Sequence, residues 1–180
     1  MSRGLGDVYK RQGGANVKRR IVSALLENEA GALSRVVGLF AQRNYNIESL
    51  TVAPTEDSSL SRLTLTTSAS DAEIEQITKQ LNKLVEVVKL ADISESSHVE
   101  RELMLVKVKA GGAGRAEVKR LADIFRAQIV DVTSHLFTIQ VIGTTDKLDA
   151  FIEALSEGQV VEVVRTGVTG LSRGDKTLSL

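Results

Sequence analysis

The sequence predicts an α+β protein built from two tandem ferredoxin-like βαββαβ domains. Three observations carry this. Strand-like and helical apolar spacings alternate in the order β-α-β-β-α-β. The same order recurs about 80 residues later, a repeat of architecture and not of residue identity. Between the two runs lies the polar segment "SESSHVER", which reads as a linker. The expected divisions are a tail over 1–16, a first domain over 17–95 and a second over 99–176.

The elements follow in order. "VKRRIVSALLE" is rich in Val, Ile and Leu and ends in polar residues, as a strand does. Leu33, Val36, Val37, Phe40 and Ala41 stand at the i, i+3, i+4, i+7, i+8 spacing of an amphipathic helix. "YNIESLTVAPT" reads as the second strand, and Pro54, the only proline, suits a sheet edge or a strand end. "EDSS" is a turn. "LSRLTLTTS" sets Leu63 and Leu65 against Arg62, Thr64 and Thr66, so the third strand is expected to have one wet face. Ser70 or Asp71 can cap a helix carrying Ile74, Ile77, Leu81 and Leu84, and "VEVVKLADIS" closes the first unit.

The second copy opens with "ELMLVKVKA". A helix over "GRAEVKRLADIFRA" aligns Val118, Leu121, Ala122 and Phe125 on one face. "QIVDVTSHLFTIQVIG" reads as two strands around a Ser134–His135 turn. "TTDKLDAFIEAL" spaces Leu148, Phe151, Ile152 and Leu155 as a helix, with Thr145 or Asp146 near its start, and "VVEVVRTGVTG" is the last strand.

Composition narrows the function classes. The hydrophobic fraction is 42%, ordinary for a globular protein, while aromatics are only 3%. Few aromatics argue against stacking platforms for single-stranded nucleic acid. Lys plus Arg equals Asp plus Glu at 23 each, so the basic excess expected of a duplex binder is missing. Cysteine is absent, which excludes disulfides and thiolate metal sites and fits a reducing compartment, hence a cytoplasmic location. No apolar run approaches the roughly 20 residues of a membrane-spanning helix. "MSRGLGDVYKRQGGANV" is basic and Gly-rich without periodicity, and reads as a flexible tail or a non-native extension.

The two copies differ at their first strand–helix join. "ENEAGALSR" carries Asn28 and Gly31, whereas "KAGGAGRAEV" supplies glycine without amides. A helix start offers backbone N–H groups and partial positive charge to a carboxylate. A glycine there lets a ligand come close to the backbone. An asparagine amide can accept from an ammonium or donate to a carboxylate. Together with the second amide join, Asn44 and Asn46, these groups suit a free α-amino acid. The nearby Leu25, Leu33, Val36 and Ile47 would leave room for an apolar side chain. Taken singly, each residue also has a plain role: Gly31 relaxes a turn, Asn28 caps a helix, Asn46 sits in a turn.

"LLENEAGALSRVVGLFAQRNYNIESLTVAPTEDSSLSRLTL" closely resembles the ACT domain of the acetolactate synthase (acetohydroxyacid synthase) small regulatory subunit, bacterial type. "HVERELMLVKV", "IFRAQIVDVT", "KLDAFIEAL" and "RTGVTGLSRGDK" resemble that family's C-terminal domain. The resemblance covers Lys18 to Lys176 and implies a regulator with no catalytic site or cofactor of its own. Thiamine diphosphate, Mg and FAD would belong to the large catalytic subunit, which condenses two pyruvates, or pyruvate with 2-oxobutyrate. This chain would activate that partner and confer valine feedback inhibition in branched-chain amino acid biosynthesis. It further implies a homodimer through ACT domains, with valine at the interface. Asn28, Gly31, Ala32 and Leu33 would come from one chain, and Asn46 and Ile47 from its neighbour. The second strand would be the edge that pairs across the dimer.

Two other readings stand beside it. A DNA-binding segment would favour a free-standing amino-acid-responsive ACT regulator of transcription or of another enzyme, and none is visible. A self-sufficient enzyme would need a catalytic constellation, and no Ser/His/Asp arrangement is suggested. "GGAG" lacks the lysine and spacing of a phosphate loop. His98 and His135 stand alone in a linker and a turn, without metal-ligand spacing. "RGD" at 173–175 is a common tripeptide.

Overall fold

The computed structural model describes residues 16–180, so the expected tail lies outside the described residues except for Asn16. Two compact units result. One comprises the chain up to Val99 together with Gly170–Leu180, and the other is Glu100–Thr169.

In the first unit the elements are β1 (Lys18–Glu27), α1 (Ala32–Gln42), β2 (Ser49–Pro54), β3 (Leu60–Ala69), α2 (Asp71–Asn82) and β4 (Val87–Asp92). The strands form one antiparallel sheet in the order β2-β3-β1-β4. This is the ferredoxin-like topology expected from the sequence. On one face of the sheet, Val22, Ala24 and Leu26 of β1 and Leu63 and Leu65 of β3 pack with Val36 and Phe40 of α1 and Ile74, Ile77 and Leu81 of α2. Each of the Val, Leu, Ile and Phe side chains among these, fully buried, contributes about 1.5–3 kcal/mol.

The helix ends follow from local chemistry. Ser70 accepts from the Glu73 amide (3.1 Å), and Glu73 accepts from the Ser70 amide (3.1 Å), a reciprocal capping box. Helix α1 stops because Asn44 adopts φ 57. Its amide donates to the Ala41 carbonyl (3.2 Å) and the Tyr45 amide to the Phe40 carbonyl (3.0 Å), the paired bonds of a Schellman motif. Asn44 therefore serves the helix end.

That closure also delays the second strand. The chain was expected to extend from Tyr45, but β2 begins only at Ser49. Tyr45 instead turns its ring edge-on to Phe40, with centroids 6.2 Å apart. Pro54 is the last residue of β2, at the edge of the sheet.

The expected wet face of the third strand is not wet. Thr64 and Thr66 are buried, at 1% and 2% exposure. They stand opposite Ser23 and Ile21 of β1, which are buried on the same side. The C-terminal segment lies against this face. Arg62 donates to the Gly170 carbonyl (3.0 Å), and a Cβ on Gly170 would sit 3.0 Å from the Ile93 side chain. The Arg173 amide donates to the Ser97 carbonyl (3.0 Å), and Lys89 donates to the Ser179 carbonyl.

The second unit repeats the plan with β5 (His98–Lys109), α3 (Gly114–Ile124), β6 (Gln128–Val132), β7 (Leu136–Gly143), α4 (Thr145–Ala154) and β8 (Val160–Arg165). The sheet order is β6-β7-β5-β8, and β9 (Thr169–Ser172) also pairs with β5. Half of the expected linker is strand, because β5 already starts at His98. The expected last strand is two, parted near Gly167, whose φ of 86 no extended strand tolerates. Met104, Val106, Ile139, Val141, Leu148 and Phe151 form the core. Helix α3 ends as α1 does: Arg126 at φ 53, its amide on Asp123 and the Ala127 amide on Ala122.

Two substitutions separate packing from capping. Phe40→Ala should cost about 3–5 kcal/mol of unfolding free energy. Ser70→Ala should cost about 1 kcal/mol. Urea titration followed by circular dichroism reads both, and equal losses would contradict the core assigned here.

Candidate functional site

The join between β1 and α1 is held from two sides. The Glu27 amide donates to the Glu86 carbonyl (2.8 Å), which fixes the end of β1. The Asn28 amide donates to the Ser59 carbonyl (2.8 Å) in the β2–β3 hairpin. Asn28 Nδ2 donates to the Ser58 carbonyl (3.1 Å), and its Oδ1 accepts from the Ser61 hydroxyl (3.3 Å). The side chain is thus oriented by the hairpin, and the whole residue is exposed. An amide carries two donors and two acceptor lone pairs, so one of each remains for a visitor.

Gly31 stands at the N-cap of α1 with φ 89 and ψ −12, and no side chain caps the helix. A Cβ there would meet nothing within 4 Å. The left-handed backbone by itself accounts for glycine at this position. The open space above it leaves the helix start accessible. The Ala32 amide donates to Glu29 (3.3 Å) and the Arg35 amide to Gly31 (3.1 Å). Between them lie the amides of Leu33 and Ser34, in the turn where a helix leaves its N–H groups without intrahelical acceptors. Ala32 is buried, and Leu33 is 37% exposed.

Asn46 and Ile47 lie at the other end of α1. Asn46 is exposed and its carbonyl accepts from the Thr67 hydroxyl (2.5 Å), while Ile47 packs partly against the core. The 11 residues of α1 span about 16 Å. Within one chain, therefore, the two amide joins do not meet.

The apolar surroundings also differ from expectation. Val36 is sealed in the core at 1% exposure. Leu25 points to the opposite face of the sheet, where it shares a groove with Leu60 and Leu171. Only Leu33 and Ile47 of the four stay within reach of a ligand at these joins. Sequence reasoning also missed Ser58, Ser61 and Glu86, which position the join. They lie 30 or more residues away, and no local pattern marks them.

The corresponding join in the second unit is filled. Arg115 Nη1 donates to the carbonyls of Ala110 (3.1 Å), Thr133 (3.0 Å) and Ser134 (3.3 Å). Its guanidinium carbon lies 4.6 Å from the centre of the Phe137 ring. The N-cap of α3, Ala113, is in right-handed helical conformation, again without a side-chain cap. Among the described residues no group of three or more His, Asp or Glu is arranged to hold a metal ion. No described helix is long and apolar enough to cross a membrane.

The first of these two ferredoxin-like units is a domain of the ACT type. Residues 22–89 match the AHAS small subunit-like ACT domain, and residues 101–174 match the small subunit of acetolactate synthase. The chain is 60% identical over 161 residues to the acetolactate synthase isozyme 3 small subunit of Salmonella typhimurium, covering 89% of this chain and 99% of that one. It is equally 60% identical to the acetolactate synthase small subunit of Haemophilus influenzae, with the same coverage. The crystal structure of the small subunit from Thermotoga maritima superposes with a TM-score of 0.82 at 39% identity, covering 88% of this chain and 99% of that one. The chain belongs to the acetolactate synthase small-subunit family, the regulatory and non-catalytic partners of a large catalytic subunit.

Backbone strain and ligand space at Gly31 can be separated. Gly31→Ala should cost about 1–2 kcal/mol from the left-handed conformation alone, since the added methyl meets no neighbour. Gly31→Asn should cost less, because asparagine tolerates that region. Chemical denaturation of both variants measures the difference, and equal stability of Gly31→Ala and wild type would contradict the observed φ.

Proposed function

We propose that this chain activates the acetolactate synthase large subunit and makes it inhibitable by valine, bound at Asn28, Gly31, Ala32 and Leu33 of one chain and at Asn46 and Ile47 of a second. The observation that carries the reading is the exposed, uncapped start of α1 at Gly31, beside an asparagine already oriented by its hairpin. The effector carboxylate faces the helix N–H groups, the Asn28 amide holds the polar end, and Leu33 and Ile47 receive the isopropyl group.

The placement of the two joins supports a homodimer. Strand β2 is a sheet edge. Pro54 pairs with Ser61 and Ser49 with Thr66, while Glu27 pairs with Leu60. The Asn28 loop is therefore at the Pro54 end of β2, and Asn46–Ile47 precede its Ser49 end. Two copies pairing β2 antiparallel about a two-fold axis bring the Ser49 end of one beside the Pro54 end of the other. Each composite site then draws on both chains, and an open sheet edge is covered.

In this reading the sensing domain is 17–95 and the second small-subunit domain is 99–176. Thiamine diphosphate, Mg and FAD act in the large subunit. The complex works in the cytoplasm on the route to valine, leucine and isoleucine, consistent with a chain that has no cysteine.

Gly31→Asp tests the site. Its carboxylate would compete for the same helix N–H groups and repel the effector. A loss of about 3 kcal/mol weakens binding on the order of a hundredfold. Valine inhibition of the reconstituted complex should disappear while activation persists, and Asn46→Ala should show a milder loss. A folded Gly31→Asp protein with wild-type valine sensitivity would place the effector elsewhere. No rise in activity when the two subunits are mixed would refute the regulatory role for this pair.

A further inference from the structure

Glu86 closes a ring around the join just described. Before the loop, the Glu27 amide donates to the Glu86 carbonyl (2.8 Å). After it, the Arg35 amide donates to the Gly31 carbonyl (3.1 Å), and Arg35 Nη1 pairs with Glu86 Oε1 at 2.5 Å. Residues on both flanks of Asn28–Gly31 are thereby tied to one residue of the α2–β4 connection. The partners are unequal. The Arg35 side chain is 64% exposed, while that of Glu86 is 11% exposed. Glu86 Oε2 is buried and meets no hydrogen-bond donor among the described residues. Arg35 is the cation within ion-pair reach of this carboxylate among the described residues.

We propose that Glu86 is a positioning residue for effector binding: through Arg35 it holds the first turn of α1 and the Gly31 carbonyl in the conformation that receives the amino acid. The inference rests on the effector reading above. The pair touches no effector atom. A loop that must be ordered at the moment of binding lowers affinity by the fraction of molecules already ordered. Opening the ring therefore weakens the effector without altering any contact it makes. The asymmetry of burial sets an order among variants. Removing Glu86 frees an exposed arginine, which water solvates. Removing Arg35 leaves a buried carboxylate with no partner, the more damaging change.

Valine titration by calorimetry on the full chain, with circular dichroism as folding control, tests this. Glu86→Ala and Glu86→Gln should weaken valine about five- to tenfold. Arg35→Ala should weaken it more than either. The double variant Arg35→Ala/Glu86→Ala should be no worse than Arg35→Ala alone, because the stranded charge is gone. Arg35→Lys should recover most of the affinity. In the reconstituted complex, activity without valine should be unchanged while the inhibiting concentration rises. Ile77→Val, which trims the core of the same unit, should lower the melting temperature and leave valine affinity intact. Wild-type valine affinity in folded Glu86→Ala and Arg35→Ala would overturn the proposal and spare the effector reading. So would a loss in Ile77→Val as large as theirs. Absence of valine binding by the wild-type chain would overturn both.

Discussion

The pairing of β1 with β3 is the constraint on which the first unit depends. Ten consecutive residue pairs, from Lys18 with Ala69 to Glu27 with Leu60, run without a bulge. A shift of one residue would turn Val22, Ala24 and Leu26 away from the helices and bring Ile21, Ser23 and Leu25 under them. The same register brings the end of β1 to the start of β3, and so delivers Asn28 to Ser58, Ser59 and Ser61. Position of the join and packing of the core are two results of one ladder. On the other side of β1, the pairing with β4 shifts between Leu25 and Leu26, near the point where Glu86 meets Glu27.

Much of this was legible in the sequence, and the failures have physical causes. The helices α1, α2, α3 and α4 were read from spacing, because their apolar faces pack on a sheet within the same unit. The join at Gly31 was visible because glycine and asparagine serve special backbone and hydrogen-bonding needs. The dry second face of β3 was not visible. Threonine is equally at home in water and in a buried sheet, so alternation of Leu with Thr gives no sign of what covers the Thr side. The late start of β2 was missed because "YNIE" has strand-like residues, and only the left-handed Asn44 reveals that the helix closure consumes them. Glu86 escaped notice because its role is set by tertiary contact with Arg35, 51 positions earlier in the chain.

The comparison of the two units shows how one architecture hosts different local chemistry. Both first helices end in the same backbone motif, with Asn44 in one and Arg126 in the other. Their beginnings diverge. One is left open by Gly31, and the other has three carbonyls gathered by Arg115 over an aromatic ring. An arginine so engaged stiffens the join of the second unit, whereas the first keeps spare donors and acceptors at its surface. Fold symmetry therefore does not carry over into symmetry of ligand chemistry.

The return of Gly170–Leu180 to the first unit has a consequence for how the protein can be cut. In sequence terms the second unit is an insertion between β4 and a terminal strand, not an appendage. A fragment ending after Asp92 keeps every element of the first βαββαβ repeat but loses its last contributor, and Ile21 and Leu25 lose part of their cover. Such a fragment would carry a newly bared apolar strip beside an open sheet edge, two features that favour self-association. Supplying residues 170–180 as a separate peptide, or joining them to the fragment by a short Gly-Ser linker, would restore the missing surface without the second unit.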